Sequence, residues 1–238
     1  MSASRWRFRP RPATTVAAIA FCALTVSLGN WQLRRAEERE GAQRQLEARA
    51  AGAAVALPTD AVDPAEWAWR RVSARGAYVD AHTILLDNRV LDGRAGFHVV
   101  TPLRLAGTDM HVLVNRGWAP QGRTRADLPR IPAPAGTHTV EGIVVTPPER
   151  VFTLGDAAPT GAVWQHLAPG RYGERTGLAV QPIVLLQTSA ADDGLVRRWE
   201  RPDAGADKNR AYALQWYVFA ALALVLYVAL NLKRVRAG

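Results

Sequence analysis

Long apolar segments lie near both ends of this chain, and short apolar runs alternate with turn-forming residues between them. Residues 13–33 and 211–232 contain no charged side chain. At a rise of about 1.5 Å per residue, a helix of either length spans the roughly 30 Å hydrocarbon core of a bilayer. A single segment inside lipid can satisfy its backbone only as a helix. The pattern therefore predicts two transmembrane helices, at residues 13–33 and 211–232.

The stretch between the apolar segments starts as a charged region and then changes character. Residues 34–58 are rich in Ala and in charged side chains, and two pairs of opposite charges, Arg34 with Glu38 and Glu40 with Arg44, lie four positions apart. Such pairs support a helix, so we expect a helical stalk that Gly52 and Pro58 bring to an end. Residues 59–210 contain apolar runs of strand length between turn-forming residues, which predicts a β-rich domain.

The β-rich domain is divided by clear turn signals. The predicted strands are residues 71–78, 83–86, 97–103, 110–115, 139–146 and 183–188. The predicted turns are Asp92-Gly93, residues 106–109, Pro147-Pro148 and Gly155-Asp156. Short strands with this spacing favour an antiparallel sheet or a small barrel. The predicted fold class is thus a membrane protein in which two transmembrane helices flank an α+β, mainly antiparallel β extracytoplasmic domain, arranged as a small barrel or a sandwich.

Positive charge is concentrated at the two ends of the chain. The tails at residues 1–12 and 233–238 carry seven basic side chains and no acidic one, which leaves +2 of the net charge of +9 for the region between them. Short basic segments stay in the cytoplasm, whereas long domains cross largely regardless of charge. We therefore expect both termini to be cytoplasmic and residues 59–210 to lie outside. The high net charge reflects this topology and does not indicate a nucleic-acid-binding surface.

A cleaved signal peptide is an alternative interpretation of the first apolar segment, because an Arg-rich tail precedes it. No A-x-A cleavage site follows the segment, and Ser-Leu-Gly at residues 27–29 comes nearest. The aromatic residues Trp31, Trp216 and Tyr217 lie near the expected outer ends of the two segments, where aromatic side chains favour the headgroup region. These features favour two retained spans.

Residue types that perform covalent or metal chemistry are sparse in the outer domain. Its two serines, Ser73 and Ser189, do not lie in a G-x-S-x-G motif, and Cys22, the single cysteine, falls in the first apolar segment. None of the five histidines forms a tight ligand pair, so we expect no metal site. We expect a protein that is not an enzyme. A membrane-tethered enzyme built from scattered residues such as His98, Asp87 and Arg116 is the weaker alternative.

Two similar motifs follow apolar strands of the predicted domain. The sequence Asn-Arg-Gly-Trp occupies residues 115–118 with Pro120 after it, and Asp-Asn-Arg occupies residues 87–89. In a purely structural interpretation, the Arg pairs with a carboxylate, the Gly supplies a turn and the Trp packs. In a binding interpretation both strand ends form a recognition surface, and Arg116→Ala or Trp118→Ala would impair function without reducing protein abundance.

The ordered motifs resemble the Surfeit locus 1 family, membrane proteins that assist assembly of cytochrome c oxidase. Residues 29–35 resemble the family's exit from its first helix, residues 114–120 its most specific signature, and residues 212–216 the entry to its second helix. Residues 71–78, 86–103, 142–148 and 182–184 match in the correct order between them. The resemblance covers nearly the whole chain.

The resemblance implies a non-enzymatic chaperone of respiratory-chain biogenesis that aids heme a insertion or retention in subunit I of the oxidase. The implied location is the bacterial inner (plasma) membrane, with a periplasmic domain. Implied partners are subunit I, other oxidase assembly factors and membrane lipid. A heme-independent membrane scaffold for an oxidase subunit is the alternative. The binding residues implied by resemblance are Trp31, Gln32, Arg35, Asn88, Arg89, Asn115, Arg116, Gly117, Trp118, Pro120, Tyr212, Gln215 and Trp216.

One position departs from the family pattern. Family members commonly carry a His, implicated in heme handling, three residues before the Tyr at the second helix, whereas this chain has Asn209. Neutral imidazole is a good axial ligand for heme iron, and an amide is a poor one. We therefore do not expect Asn209 to ligate iron. Arg34, Arg35 and Arg210 are candidate contacts for heme propionates or for lipid phosphates, because a guanidinium donates two parallel hydrogen bonds to such groups.

Overall fold

The computed structural model describes residues 4–122, 124, 127–147, 161–199 and 205–236. Contacts divide the chain into two compact units: a helical unit of residues 1–45 and 202–238, and a β unit of residues 46–201. In chain order the elements are β1 (Ser4–Phe8), α1 (Pro12–Ala51), β2 (Val55–Ala56), α2 (Pro64–Trp67), β3 (Arg71–Tyr78), a 3₁₀ turn (Asp80–His82), β4 (Ile84–Leu91), β5 (Arg94–Leu105), β6 (Met110–Pro120), β7 (Thr137–Val145), β8 (Val163–Trp164), α3 (Pro169–Thr176), β9 (Ala179–Gln187), α4 (Ala206–Asn231) and β10 (Leu232–Arg236).

Two helices that are long and apolar enough to cross a membrane, α1 and α4, dominate the helical unit. They run in opposite directions and contact each other along their length. The Thr15 and Tyr227 hydroxyls lie 2.7 Å apart, and the Tyr217 hydroxyl donates to Asn30 Oδ1 at 2.7 Å. Gly29 is buried against the Tyr217 ring, where an added Cβ would lie 2.7 Å from the ring carbon Cε1. The absence of a side chain at Gly29 therefore leaves room on α1 for the Tyr217 ring of α4.

The two chain ends form a two-stranded antiparallel ribbon at the other end of the helix pair from Asn30. In this ribbon β1 pairs with β10, with Ser4 opposite Arg236 and Phe8 opposite Leu232. The Arg9 N–H extends the pairing by donating to the Asn231 carbonyl at 2.9 Å. The basic composition of the tails gave no strand signal, so this ribbon was not predicted.

The β unit is built on a small five-stranded barrel. The strands follow the order β3-β7-β9-β6-β5, and β5 pairs again with β3 to close the barrel. All of these pairings are antiparallel except β6 with β9. Closure requires a close approach of β3 to β5, since a Cβ at Gly76 would collide with the Arg104 carbonyl oxygen. Beyond the barrel, β4 continues the sheet from β5 and pairs with the short β8.

Apolar side chains fill the barrel and a second core beside it. The barrel interior contains Val72, Leu103, Val112, Val114, Val140, Val144, Ile183 and Leu185, all nearly inaccessible to solvent. Along β3 and β7 every second side chain is buried in this interior, because successive side chains of a strand point to opposite sides of the sheet. In the second core, Tyr172 of α3 packs with Trp164, and its hydroxyl donates to the His82 carbonyl at 2.6 Å.

The structure confirms the predicted fold class: two apolar helices flank a mainly antiparallel β domain with a small barrel. Strand β3 has the predicted bounds. Asp92 and Gly93 form the β4–β5 hairpin with positive φ at both residues, 50° and 75°, as a type I′ turn requires. Residues 106–109 connect β5 to β6 as expected.

Other strand boundaries were predicted too short. β6 continues through residues 115–120, and β4 continues through residues 87–89, so neither motif lies after a strand end. The connection between β6 and β7 runs from residue 121 to residue 136. Apolar periodicity also gave no signal for α2, α3 and β8. Of the predicted turns, Pro148 and Gly155-Asp156 lie outside the described residues.

Candidate functional site

Irregular pairing on either side of β5 shapes the region of the two motifs. Between β4 and β5 the register shifts after Leu86, and Asn88 there has a left-handed backbone with φ of 59°. Asn tolerates this conformation better than most residues. Between β5 and β6, Val99 faces Gly117 and Val100 faces Asn115, which leaves Arg116 as the extra residue of a bulge. Bulges redirect side chains, and this one turns Arg116 into the protein interior.

These strands border a cavity of about 670 Å³ in the β unit. The structure thereby brings together five residues that the sequence singled out, Asn88, Arg89, His98, Asn115 and Trp118. The remaining polar and aromatic lining residues are His166, Arg198 and Trp199. An apolar wall that includes Leu86, Val184 and Leu186 completes the cavity. The combination suits a ligand or a partner side chain with both apolar and polar parts.

Two polar side chains meet inside this cavity. Nδ2 of Asn115 and Nδ1 of His98 lie 3.2 Å apart. The buried Asn115 Oδ1 has no hydrogen-bond partner among the described residues. The pKa of His98 is lowered to about 4, chiefly because burial disfavours the charged ring and also because the Arg89 guanidinium repels it. The imidazole is therefore neutral at neutral pH, and it contacts the Trp199 ring edge-to-face at 5.4 Å.

Arg116 is completely buried and fully engaged within the protein. Its Nη1 donates to the Ile131 carbonyl at 3.1 Å, and its Nη2 donates to the Pro132 carbonyl at 3.0 Å. The same Nη2 forms a salt bridge of 3.2 Å with Asp193, a carboxylate that is itself nearly buried. The guanidinium also lies over the Tyr78 ring, 5.6 Å from its centre. Such a side chain is not accessible to a partner.

Trp118 and Gly117, also of the 115–118 motif, contact the segment around Asp193. Backbone hydrogen bonds of 2.8 and 2.9 Å join Trp118 to Val196, and the indole Nε1 donates to the Arg89 carbonyl at 2.8 Å. Gly117 has φ of 146°, and a Cβ there would lie 2.8 Å from Leu195 Cβ. The motif thus holds residues 193–199 in position, and two residues of this segment, Arg198 and Trp199, line the cavity.

Pro120 ends β6 opposite Gly96. These contacts match the structural interpretation of the motif, whereas its binding role remains a prediction.

The other candidate residues belong to the helical unit. Trp31, Arg34, Arg35, Tyr212 and Gln215 are exposed, and Gln32 and Trp216 are half-buried. Arg35 pairs with Glu38 at 3.0 Å, and Arg210 pairs with Glu40 at 2.6 Å. The sequence patterns therefore identified two groups of residues, one around the cavity and one on α1 and α4.

Asn209 is buried within a network that joins the two helices. Its Nδ2 donates to Gln32 Oε1 at 2.7 Å, and its Oδ1 accepts a hydrogen bond of 2.9 Å from Arg39 Nη1. Both ends of the amide are thus occupied by protein groups, and every His of the chain lies in the β unit. Asn209, which stands at the family's His position, therefore does not fit as a ligand of heme iron. Arg39 was not predicted, although it lies seven residues from Gln32 and hence on the same helix face.

The fold and these two groups of residues define a class of protein: a small β-barrel domain that lies, in sequence, between two apolar helices of membrane-spanning length. The sequence model of the SURF1 family matches residues 19–221, most of the chain. The chain belongs to the SURF1 family.

Its relatives include a SURF1-like protein of Monosiga brevicollis, 26% identical over 222 residues that cover 88% of this chain and 84% of that protein. Surfeit locus protein 1 of Xenopus tropicalis is 22% identical over 228 residues, or 89% of this chain and 73% of that protein. A SURF1-like protein of Drosophila melanogaster is 35% identical over 112 residues, or 40% of this chain and 37% of that protein. These matches confirm the resemblance inferred from the motifs.

Proposed function

We propose that this protein is a non-enzymatic assembly factor for cytochrome c oxidase that aids insertion or retention of heme a in subunit I. Membership of the SURF1 family over residues 19–221 is the observation that carries this proposal. The factor acts by contacts with oxidase subunits and other assembly factors, and it completes no reaction of its own.

The proposed location is the bacterial inner membrane, with both termini in the cytoplasm and the β unit in the periplasm. The two apolar helices support insertion. The basic tails support the orientation, because Lys and Arg next to a span are retained on the cytoplasmic side.

The rim of the β-unit cavity is the proposed contact surface for the oxidase subunit. Arg198 and Asn88 are exposed there, Trp199 is half-buried, and Val90 is 61% exposed. Aromatic and Arg side chains at a concave site are typical of binding hot spots. The buried Arg116 and Trp118 stabilise this surface, because their contacts hold residues 193–199 in place.

Deleting the chain tests the function. We expect the reduced-minus-oxidised spectrum of membranes to lose the heme a band while b- and c-type bands persist. Restoring the wild-type chain should bring the band back. A normal heme a band with normal oxidase activity, in cells shown to lack any second copy, would overturn the proposal.

Charge reversal tests the surface. Arg198→Glu, at an exposed position, should reduce oxidase maturation several-fold while protein abundance stays normal. Arg75→Glu is the matched control, because Arg75 is also exposed on the β unit but does not line the cavity. Equal effects of the two variants would show that the rim is not a specific contact.

A heme-independent scaffold is the second candidate, favoured by the engaged amide of Asn209. The protein purified in mild detergent from cells that make heme a distinguishes the two. A Soret band that copurifies with the chain would favour heme handling, and its absence would favour the scaffold.

A further inference from the structure

One end of the helical unit combines positive charge with an apolar groove. A cavity of about 450 Å³ lies there, between the ends of α1 and α4 next to the β1–β10 ribbon. Arg9, Arg11 and Lys233 line one part of it. Ala18, Phe21, Ala223, Leu226 and Leu230 line the apolar part.

The fold brings these three cations together from opposite ends of the chain. The ribbon sets Arg7 opposite Lys233, and the hydrogen bond from Arg9 N–H to the Asn231 carbonyl continues the pairing up to the start of α1. The Phe8 ring packs edge-on against Tyr227 at 6.0 Å, and Tyr227 in turn contacts Thr15. The cluster therefore has a defined position at the helix ends.

In the part of the chain that the structure describes, no carboxylate neutralises this cluster. The tails at residues 1–12 and 233–238 contain no Asp or Glu, and among the described residues Arg9, Arg11 and Lys233 form no salt bridge. Like charges held close together repel unless a counter-charge lies between them. A phosphate supplies that charge, and Arg in particular binds phosphate oxygens with paired hydrogen bonds.

The apolar part of the cavity distinguishes a lipid from a free phosphate. Phe21, Leu226 and Leu230 lie along the helices directly beyond the cations. Phe21 is 46% and Leu230 is 78% exposed in the protein alone, so both require an apolar cover. Basic pockets between membrane helices on the cytoplasmic side suit anionic headgroups in this way.

We infer that this end of the helical unit is a binding site for one anionic phospholipid. Its headgroup phosphate lies among Arg9, Arg11 and Lys233, and an acyl chain lies against Phe21, Leu226 and Leu230. The inference rests on the proposed membrane insertion and is independent of any role in oxidase assembly.

Native mass spectrometry of the full chain released from detergent micelles tests the site. We expect phosphatidylglycerol to remain bound where phosphatidylcholine does not. The variant Arg9→Gln/Arg11→Gln/Lys233→Gln should bind phosphatidylglycerol at least about tenfold more weakly, since each cation near a phosphate adds to the attraction. Arg44→Gln/Arg49→Gln/Lys208→Gln is the control, because it removes three exposed cations of α1 and α4 that do not line the cavity. It should bind as the wild type does.

A second variant tests the apolar part. Ala223→Phe fills the groove and keeps all three cations, so it should weaken retention of phosphatidylglycerol without altering the net charge. Inorganic phosphate is the competing probe, and it should displace the lipid poorly at equal concentration.

Three results would overturn the inference. They are unchanged binding by the cavity triple variant, equal losses in the control triple variant, and efficient displacement by inorganic phosphate with no effect of Ala223→Phe. The last result would identify a site for free phosphate. None of them depends on oxidase activity, so failure here and failure of the proposed function remain distinguishable.

Discussion

Arg116 is a buried cation whose hydrogen-bond partners all come from its own domain. Removing the guanidinium in Arg116→Ala leaves Asp193 nearly buried with one partner fewer and leaves the Ile131 and Pro132 carbonyls without their donors. Asp193 keeps its salt bridge of 2.6 Å to Arg197, so the expected cost is that of losing hydrogen bonds from a charged donor, typically about 1.5–3 kcal/mol each. We expect Arg116→Ala to lower the thermal unfolding midpoint of the purified chain and its abundance in membranes.

Arg198→Ala is the control for this prediction. The Arg198–Asp92 pair is exposed, with 61% and 64% of the two side chains accessible, and such pairs contribute roughly 0–1 kcal/mol. An Arg116→Ala protein that stays as stable as Arg198→Ala would contradict the structural role of Arg116. That result would instead favour a binding role for Arg116.

His98 makes the stability of the β unit depend on pH. Its pKa is lowered to about 4 in the folded protein, from an ordinary value of 6.5. The unfolded chain therefore binds more protons than the folded chain between those values, and stability falls as the pH is lowered through this window. Between pH 7 and 5 we expect a loss of about 1–2 kcal/mol from this group.

The variant His98→Gln should show less of that loss in thermal unfolding followed by Trp fluorescence. His166→Gln, at an exposed histidine of the same cavity, should keep the wild-type pH dependence. If the unfolding midpoints of the wild type and His98→Gln depended on pH in the same way, His98 would not be the group that causes the loss of stability.

At the scale of secondary-structure elements, α1 and α4 are joined by contacts such as the Tyr217 ring against Gly29 and the Tyr217–Asn30 hydrogen bond. Gly29→Leu should displace the Tyr217 ring and break this hydrogen bond, because even a Cβ there would lie 2.7 Å from the ring. Overpacking typically costs about 1–3 kcal/mol. We expect a lower midpoint when unfolding of the helix pair is titrated with sodium dodecyl sulfate.

Gly41→Leu is the matched control on the same helix. An added Cβ at Gly41 has no neighbour within 4 Å, so this variant should match or exceed the wild type because Leu favours helix more than Gly does. Equal destabilisation by both substitutions would show that contact with the Tyr217 ring does not explain the effect at Gly29.

The sequence predicted the elements that depend on local patterns. The helix pair, β3 and the Asp92-Gly93 hairpin all follow from apolar runs or from turn residues whose conformation is restricted. The bulges at Asn88 and Arg116 were not predictable, because a shift in pairing depends on the neighbouring strand. For the same reason, the sequence placed the two motifs after strand ends, whereas both lie within strands, β4 and β6.

The candidate site shows the same limit. Asn88, Arg89, Asn115 and Trp118 were found from their motifs, and all line one cavity. Trp199 and Arg198 were missed, since they come from an irregular polar segment whose position is set by contacts with residues 116–118. Asn209 was recognised by comparison, but its engagement with Gln32 and Arg39 depends on how two distant helices pack.

At the scale of the whole molecule, the charge of the two tails predicts the orientation in the membrane. Both tails are basic and short, whereas the segment between the helices is long and nearly neutral. We therefore expect a cysteine at Ala106, exposed at the β5–β6 turn, to react with a membrane-impermeant maleimide in intact spheroplasts. A cysteine at Ser2 should react only after the membrane is made permeable, with Cys22→Ser as the common background.

If the cysteine at Ser2 reacted in intact spheroplasts and the cysteine at Ala106 did not, the orientation would be opposite to the one expected. The lipid site would then face the outer leaflet. Labelling of both positions in intact spheroplasts would indicate that the first apolar segment does not span the membrane as a retained helix. The expected pattern places the β unit, with its cavity, on the periplasmic side and the cluster of Arg9, Arg11 and Lys233 at the cytoplasmic surface. There the ribbon of the two tails would anchor both helix ends to anionic headgroups.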